Sequence, residues 1–385
     1  MHFEKNKVEN KNKSGMVDNI RKTLYICQPK GIPMNKIIPQ KLKIARKMRG
    51  YSMEKLSKQM QGMVSKQSIS KYEQGRMQPS DEVLSALSKV LNLPLTYFFK
   101  QGVKIGEINF RKDLRLSAKS IEQLVGLAHD KIEHYLDIEE ILNISYQAPN
   151  PIQHLIIRSV EDVEMAAKQI RLQLQLGESP IFSVYDMLES KGVKLLEFES
   201  GCEAVMGFSC WVNDTIPLVV INLSTNHTTE RKRFTAIHEL GHLFLRFSDE
   251  IDEDMRERFC NYFAGAVLCP SGIIRKELGE SRKLLTLDEL ISLRNRYGIS
   301  VAAAVHRAKD LGIISDSYYN DIFNHHIHLN RMEEGWGRYP IEEHTDRFER
   351  LVHRCVAEGY MSVNEAAHYV KEKPKEYKRK LTLLL

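Results

Sequence analysis

Phe234-Thr-Ala-Ile-His-Glu-Leu-Gly-His242 is the stretch from which the rest of this chain can be read. Its last five residues form an H-E-x-x-H pattern, set in an apolar run that continues through Leu243, Phe244 and Leu245. On a helix, His238 and His242 fall one turn apart on the same face. Two neutral imidazoles so stacked hold one Zn²⁺ at roughly 2.0–2.1 Å. Glu239 leaves the helix at an angle that reaches the water on such an ion, where a general base is wanted.

A zinc hydrolase usually keeps three protein ligands and an open position. The third is sought among the downstream acids Asp249, Glu250, Asp252, Glu253, Asp254 and Glu257. Most of these read as a solvated loop or the acidic first turn of a following helix. Glu257 stands apart because an apolar helical stretch, ending at Pro270, begins there. It is the expected third ligand, and Asn261, one turn on, is the expected partner that orients its carboxylate.

Arg231-Lys-Arg-Phe-Thr-Ala-Ile-His-Glu-Leu-Gly-His-Leu-Phe-Leu245, with Glu257-x-x-Cys-Asn-x-Phe-Ala264 and Leu268-Cys-Pro270, resembles the ImmA/IrrE family of metallopeptidases. The resemblance covers roughly residues 155 to 320, and the tail to 365 resembles a common family extension. It implies zinc on His238, His242 and Glu257, with Glu239 as catalytic base. It also implies an edge strand at Pro217–Asn222 beside the active-site helix. Cys260 in place of the usual Ala, and Gly265-Ala266 in place of Ala-Glu, depart from the pattern without touching a ligand.

The N-terminal part carries a different message. From Gln40 to Phe99, short amphipathic patterns are broken by turn residues. Leu42, Ile44, Ala45 and Met48 form one apolar set. Ser52 caps a second helix with Leu56 and Met60, Gly62-Met-Val makes a turn, and Ser65 caps a third helix that ends at Gly75. Pro79-Ser80 opens a fourth. Short helices with a tight turn between the second and third are what a helix-turn-helix domain needs. Ile69-Ser-Lys-Tyr-Glu-Gln-Gly-Arg-Met-Gln-Pro-Ser80 resembles the Xre/Cro, lambda-repressor-like DNA-binding family. Lys66, Gln67, Ser68 and Lys71 fall at the end of the third helix that enters the major groove. Gln67 suits adenine, while Lys66, Lys71 and Arg76 suit phosphates. Met53 stands where that family usually places a phosphate-binding Gln.

Charge follows the same division. Residues 1–100 hold 20 Lys and Arg against 7 Asp and Glu, a net +13, whereas the remainder carries −7 and the whole chain +6. Positive charge gathered at one end suits a polyanion such as duplex DNA.

No apolar run is long enough for a membrane span, and Met1-His-Phe-Glu-Lys-Asn-Lys7 lacks an apolar signal core. Six scattered cysteines without a C-x-x-C suit reduced cytoplasmic thiols, and Cys260 and Cys269 read as small core residues. Residues 105 to 150 read as a helical stretch (Ser120 to Leu142) followed by the break Ala148-Pro-Asn-Pro151. The late histidines His325, His326, His328, His344, His353 and His368 read as surface residues. Phe348 to Val370 reads as a helical hairpin that covers the metal domain or contacts a partner.

The expected fold is α+β overall. An all-α helix-turn-helix domain (36–100) follows a basic flexible tail (1–35). A helical linker (101–154) leads to an α+β zincin-like metallopeptidase domain (155–320) with a helical C-terminal extension (321–385). The expected partners are double-stranded DNA, bound as a homodimer, and a repressor- or antitoxin-like protein substrate or the chain itself, in the cytoplasm. Tyr262 and His306 are candidate oxyanion partners. The competing class is a non-catalytic regulator or antitoxin whose metal domain is structural or sensory.

Overall fold

Three serines decide where the second, third and fourth helices start in the computed structural model. It describes residues 34–49, 51–93, 95–99, 103–108, 118–144, 148–199, 205–223 and 228–382. Helix α1 spans Met34–Met48, α2 Met53–Gln59, α3 Lys66–Glu73 and α4 Asp81–Leu91, followed by a 3₁₀ turn at Leu95–Phe99. Ser52, Ser65 and Ser80 each accept from the backbone N–H three residues on, satisfying a donor that the first turn leaves orphaned. Gln61 and Gly62, with φ of 52° and 78°, make the turn between α2 and α3. Leu42, Leu56, Ile69, Leu84, Leu87 and Leu91 are fully buried between these helices. Each such side chain contributes about 1.5–3 kcal/mol relative to exposure. Helix α1 starts ahead of the apolar set read from sequence and also buries Ile37 and Ile38, with Ile44 only half-buried. The basic tail lies almost wholly outside the described residues, as do Cys27 and Cys202.

The chain forms two compact units, the first being Met1–Val103 with Lys131–Ser145 and Asp346–Leu385. The last two segments bring in the second half of α5 (Ala118–Ile141) and α14 (Arg347–Ala357), α15 (Val363–Tyr369) and α16 (Pro374–Thr382). Tyr135 stacks on Phe348 with centroids 5.5 Å apart, and His134 meets Tyr369 at 4.6 Å. The hairpin read at Phe348 to Val370 therefore packs within the helix-turn-helix unit. Its apolar face (Leu351, Val352, Cys355, Ala366, Ala367) is buried there.

Two cations counted in the N-terminal excess are consumed internally. Lys41 donates to Asp137 at 2.5 Å, with both side chains buried. Arg46 of α1 makes a fork to Glu73 of α3 at 2.6 and 2.9 Å, and Glu73 holds its guanidinium pKa up despite burial. That fork gives the Glu of the Tyr72-Glu73 motif a structural task.

The second unit is Lys104–Asp130 with Tyr146–Thr345. It contains α6 (Val160–Gln173), α7 (Val184–Ser190), β1 (Lys194–Phe198), β2 (Gly207–Val212), β3 (Ile216–Asn222), α8 (Thr229–Phe244) and α9 (Glu253–Leu268). Four short helices follow: α10 (Ser271–Leu278), α11 (Leu287–Tyr297), α12 (Val301–Asp310) and α13 (Asp316–Ile322). The sheet order is β1-β3-β2, with β1 parallel and β2 antiparallel to β3. Asn213 and Asp214, at φ of 51° and 61°, turn the chain from β2 into β3; both residue types tolerate that left-handed conformation. The central strand β3, six of whose seven residues are buried, is the Pro217–Asn222 segment read as an edge strand. The edge beside α8 is β2 instead, because β2 reaches only one neighbour in the sheet. Among the described residues no helix is long and apolar enough to cross a membrane.

Candidate metal centre

Helix α8 begins at Thr228, whose hydroxyl accepts from Arg231 N, and runs through the whole H-E-x-x-H pattern to Phe244. Helix α9 begins at Asp252, which caps Met255 N, so Asp252, Glu253 and Asp254 serve the helix start. Glu257 comes one turn later. Gly241 lets the helices meet, because a Cβ there would lie 3.3 Å from both Cys260 Sγ and Phe263 Cδ1. The close crossing lays Glu257 over the two histidines.

Three donors converge there. His238 Nε2 and His242 Nε2 are 3.1 Å apart, and Glu257 oxygens lie 3.4 Å from the first and 3.2 Å from the second. Ligand atoms held tetrahedrally around zinc sit about 3.3 Å from one another, so these residues fit the ion. They form the one His/Cys/Asp/Glu group with metal-holding geometry found among the described residues. His238 Nδ1 is buried with no hydrogen-bond partner among them. Burial disfavours charge on His242, yet the Cys260 thiol and Glu257 outweigh it and push its pKa up to about 11. Burial likewise opposes ionisation of Glu257, but His238 and His242 hold its carboxyl well below the ordinary range. Both shifts describe a point where a cation is favoured.

Glu239 leaves the same helix, is 8% exposed, and accepts a 2.8 Å hydrogen bond from Ser209 Oγ on β2. Ser209 carried no signal in the sequence. On β2 it shares a face with Trp211, which stacks on Phe244 of α8 at 6.3 Å. Cys260, read as a core residue, is buried but also sits 3.6 Å from His242 Nδ1, where it orients the ring. Asn261, one turn on in the same helix, is exposed instead of turned to the cluster. A cleft lined by His242, Leu245, Phe247, Glu253 and Arg256 opens on the cluster.

Neither candidate oxyanion group joins this cluster. The Tyr262 ring lies under the Arg307 guanidinium at 4.8 Å, on the side of α9 that faces Glu164. His306 packs on Phe323 with centroids 4.5 Å apart and meets the Tyr319 hydroxyl at 2.9 Å.

In the first unit, α3 buries Ile69 and Tyr72 and turns Lys66, Gln67 and Lys71 to solvent. Arg76 beyond its end is also exposed. Ser68 is half-buried and shares a 3.0 Å contact with the capping Ser65 hydroxyl, which ties it to the helix start. Met53 is half-buried on α2.

Comparison with known families agrees with both halves. Residues 42–98 match the helix-turn-helix model, and residues 188–309 match the M78 peptidase model, described as the IrrE N-terminal-like domain. The chain therefore joins a helix-turn-helix domain to an IrrE N-terminal-like, M78 peptidase-family domain. Comparison with curated proteins gives no match. The solved complex of Bacillus thuringiensis PlcR with the peptide PapR7 and DNA aligns over 90% of this chain and 99% of its own, at 10% identity and a TM-score of 0.15.

Proposed function

We propose that this protein is a DNA-binding transcriptional regulator whose second unit is a zinc-dependent endopeptidase, cutting a repressor- or antitoxin-like protein in the cytoplasm. The observation that carries the reading is the convergence of His238, His242 and Glu257 with a buried, separately supported Glu239 beside them. A structural metal site has no use for that second acid.

Zinc, when bound, supplies a water of pKa lowered toward about 7 and a Lewis acid for the scissile carbonyl. His238, His242 and Glu257 hold the ion. Glu239 accepts the proton of the attacking water and returns it to the leaving amine. Ser209 fixes the carboxylate in place for both transfers. In the first unit, Lys66, Lys71 and Arg76 contact phosphates while Gln67 reads a base, with two copies of the chain on paired half-sites.

Glu239→Gln tests the reading. Glutamine fills the same space but cannot accept a proton. Zinc content and DNA binding should persist, and cleavage of co-expressed neighbouring regulators, followed by intact mass, should fall by about 10²–10⁴. Unchanged regulation in cells, with no fragment lost, would replace the peptidase by a non-catalytic sensor or antitoxin.

A further inference from the structure

Strand β2 pairs with β3 through its even-numbered residues, as where Asn222 N donates to Met206 O at 2.9 Å. Its odd-numbered residues Gly207, Ser209 and Trp211 thus turn their backbone groups to the outer side of the sheet. Part of that side is taken by the chain's own segment Val103–Ile108. Gly106 N donates to Trp211 O and Asn213 N to Lys104 O, both at 2.8 Å, in an antiparallel bridge between Ile105 and Val212. Lys104 N donates to Asn213 Oδ1 at 2.9 Å, and its ammonium pairs with Asp214. The approach needs glycine, since a Cβ on Gly106 would lie 2.7 Å from Trp211 O. In the same register Ile108 falls opposite Ser209, the residue that supports Glu239.

An edge strand takes up extended polypeptide by adding a strand, and this edge leads past the candidate catalytic acid. We propose that Val103–Ile108 is a cis-acting occupant of a peptide-docking edge on β2, restraining access of an extended polypeptide until it is displaced. The consequence for catalysis rests on the peptidase reading above; the docking itself does not. A segment tethered beside its own site competes at an effective concentration in the millimolar range, so a peptide in trans binds poorly while the segment is seated.

The test uses the full chain carrying Glu239→Gln, so that no probe is cut. A fluorescein-labelled peptide Val-Lys-Ile-Gly-Glu-Ile, copying residues 103–108, is titrated and followed by anisotropy. Gly106→Val unseats the segment. Ile105→Cys with Val212→Cys locks it, because a non-hydrogen-bonded antiparallel pair has Cα atoms about 4.5 Å apart, inside disulfide range. The peptide should bind the Gly106→Val chain at least about tenfold more tightly than its parent. It should be excluded by the oxidised lock and return to parent affinity on reduction. Equal binding to parent, unseated and oxidised chains, or binding to none of them, overturns the proposal. Should Gly106→Val fail to fold, the lock decides alone: the same affinity in both redox states overturns it. The predicted binding pattern without zinc- and Glu239-dependent cleavage would defeat the peptidase reading and leave the docked segment standing.

Discussion

Ser209 and Glu239, thirty residues apart, meet across the strand–helix interface in a 2.8 Å hydrogen bond from the hydroxyl to the carboxylate. The strand holds the acid in place, and the helix carries the two histidines of the candidate metal cluster. A hydrogen bond to a charged group contributes about 1.5–3 kcal/mol. Ser209→Ala should therefore lower kcat by roughly tenfold or more with zinc content and KM unchanged. Ser209→Thr, which restores the hydroxyl, should recover most of it. An unchanged kcat in the alanine variant would show that the contact is packing alone.

The three-donor cluster predicts about one zinc per purified chain, as a three-ligand site holds. His238→Ala and His242→Ala should each lose the metal by elemental analysis, and Glu257→Gln should weaken it less. Full zinc in Glu257→Ala, with loss on substituting Asp249, Glu250 or Glu253, would assign the third ligand elsewhere. The geometry of α9 argues against that outcome, because Glu257 alone of these acids reaches both histidines.

On the DNA side, Gln67 and Lys71 both lie on the solvent face of α3 and make opposite predictions. Gln67→Ala should relax base choice at one operator position by about 1–3 kcal/mol. Lys71→Ala should weaken all sequences alike and reduce the salt dependence by about one phosphate contact. Binding-site selection on randomised duplexes separates the two. Equal loss on every sequence for Gln67→Ala would misplace the recognition helix.

Arg233, in the helix turn before His238, is fully buried and pairs with Glu343, also buried, at 2.5 Å. Its guanidinium also donates to the carbonyls of Ile181 and Phe182 and lies over the Tyr339 ring at 4.3 Å. Glu343 in turn accepts from the backbone N–H groups of Val184 and Tyr185. Removing one partner of such a pair leaves a buried charge uncompensated, at a cost of about 3–5 kcal/mol. Arg233→Ala should lower the unfolding free energy by that amount in urea titration, with Arg233→Met less damaging. A loss under about 1 kcal/mol would mean that water reaches the site.

Local chemistry was enough to read much of this chain. The caps Ser52 and Ser65 set helix starts through bonds spanning three residues, so they are written in the sequence itself. The pairing of His238 with His242 follows from helical pitch, and Gly62 and Gly75 mark turns because their backbones take positive φ. What crosses between elements was not legible. Ser209 reaches Glu239, Arg233 finds Glu343, and Lys41 and Arg46 are withdrawn from the DNA-facing charge by Asp137 and Glu73. Asn261 shares a helix with Glu257 but points to solvent, while Cys260, one residue earlier, turns to His242. The edge strand proved to be β2 rather than β3, and the C-terminal helices joined the first unit. Sequence determines which groups share a turn of helix; which groups meet across a sheet or a helix crossing depends on register and on how closely backbones approach, and only the folded packing sets these.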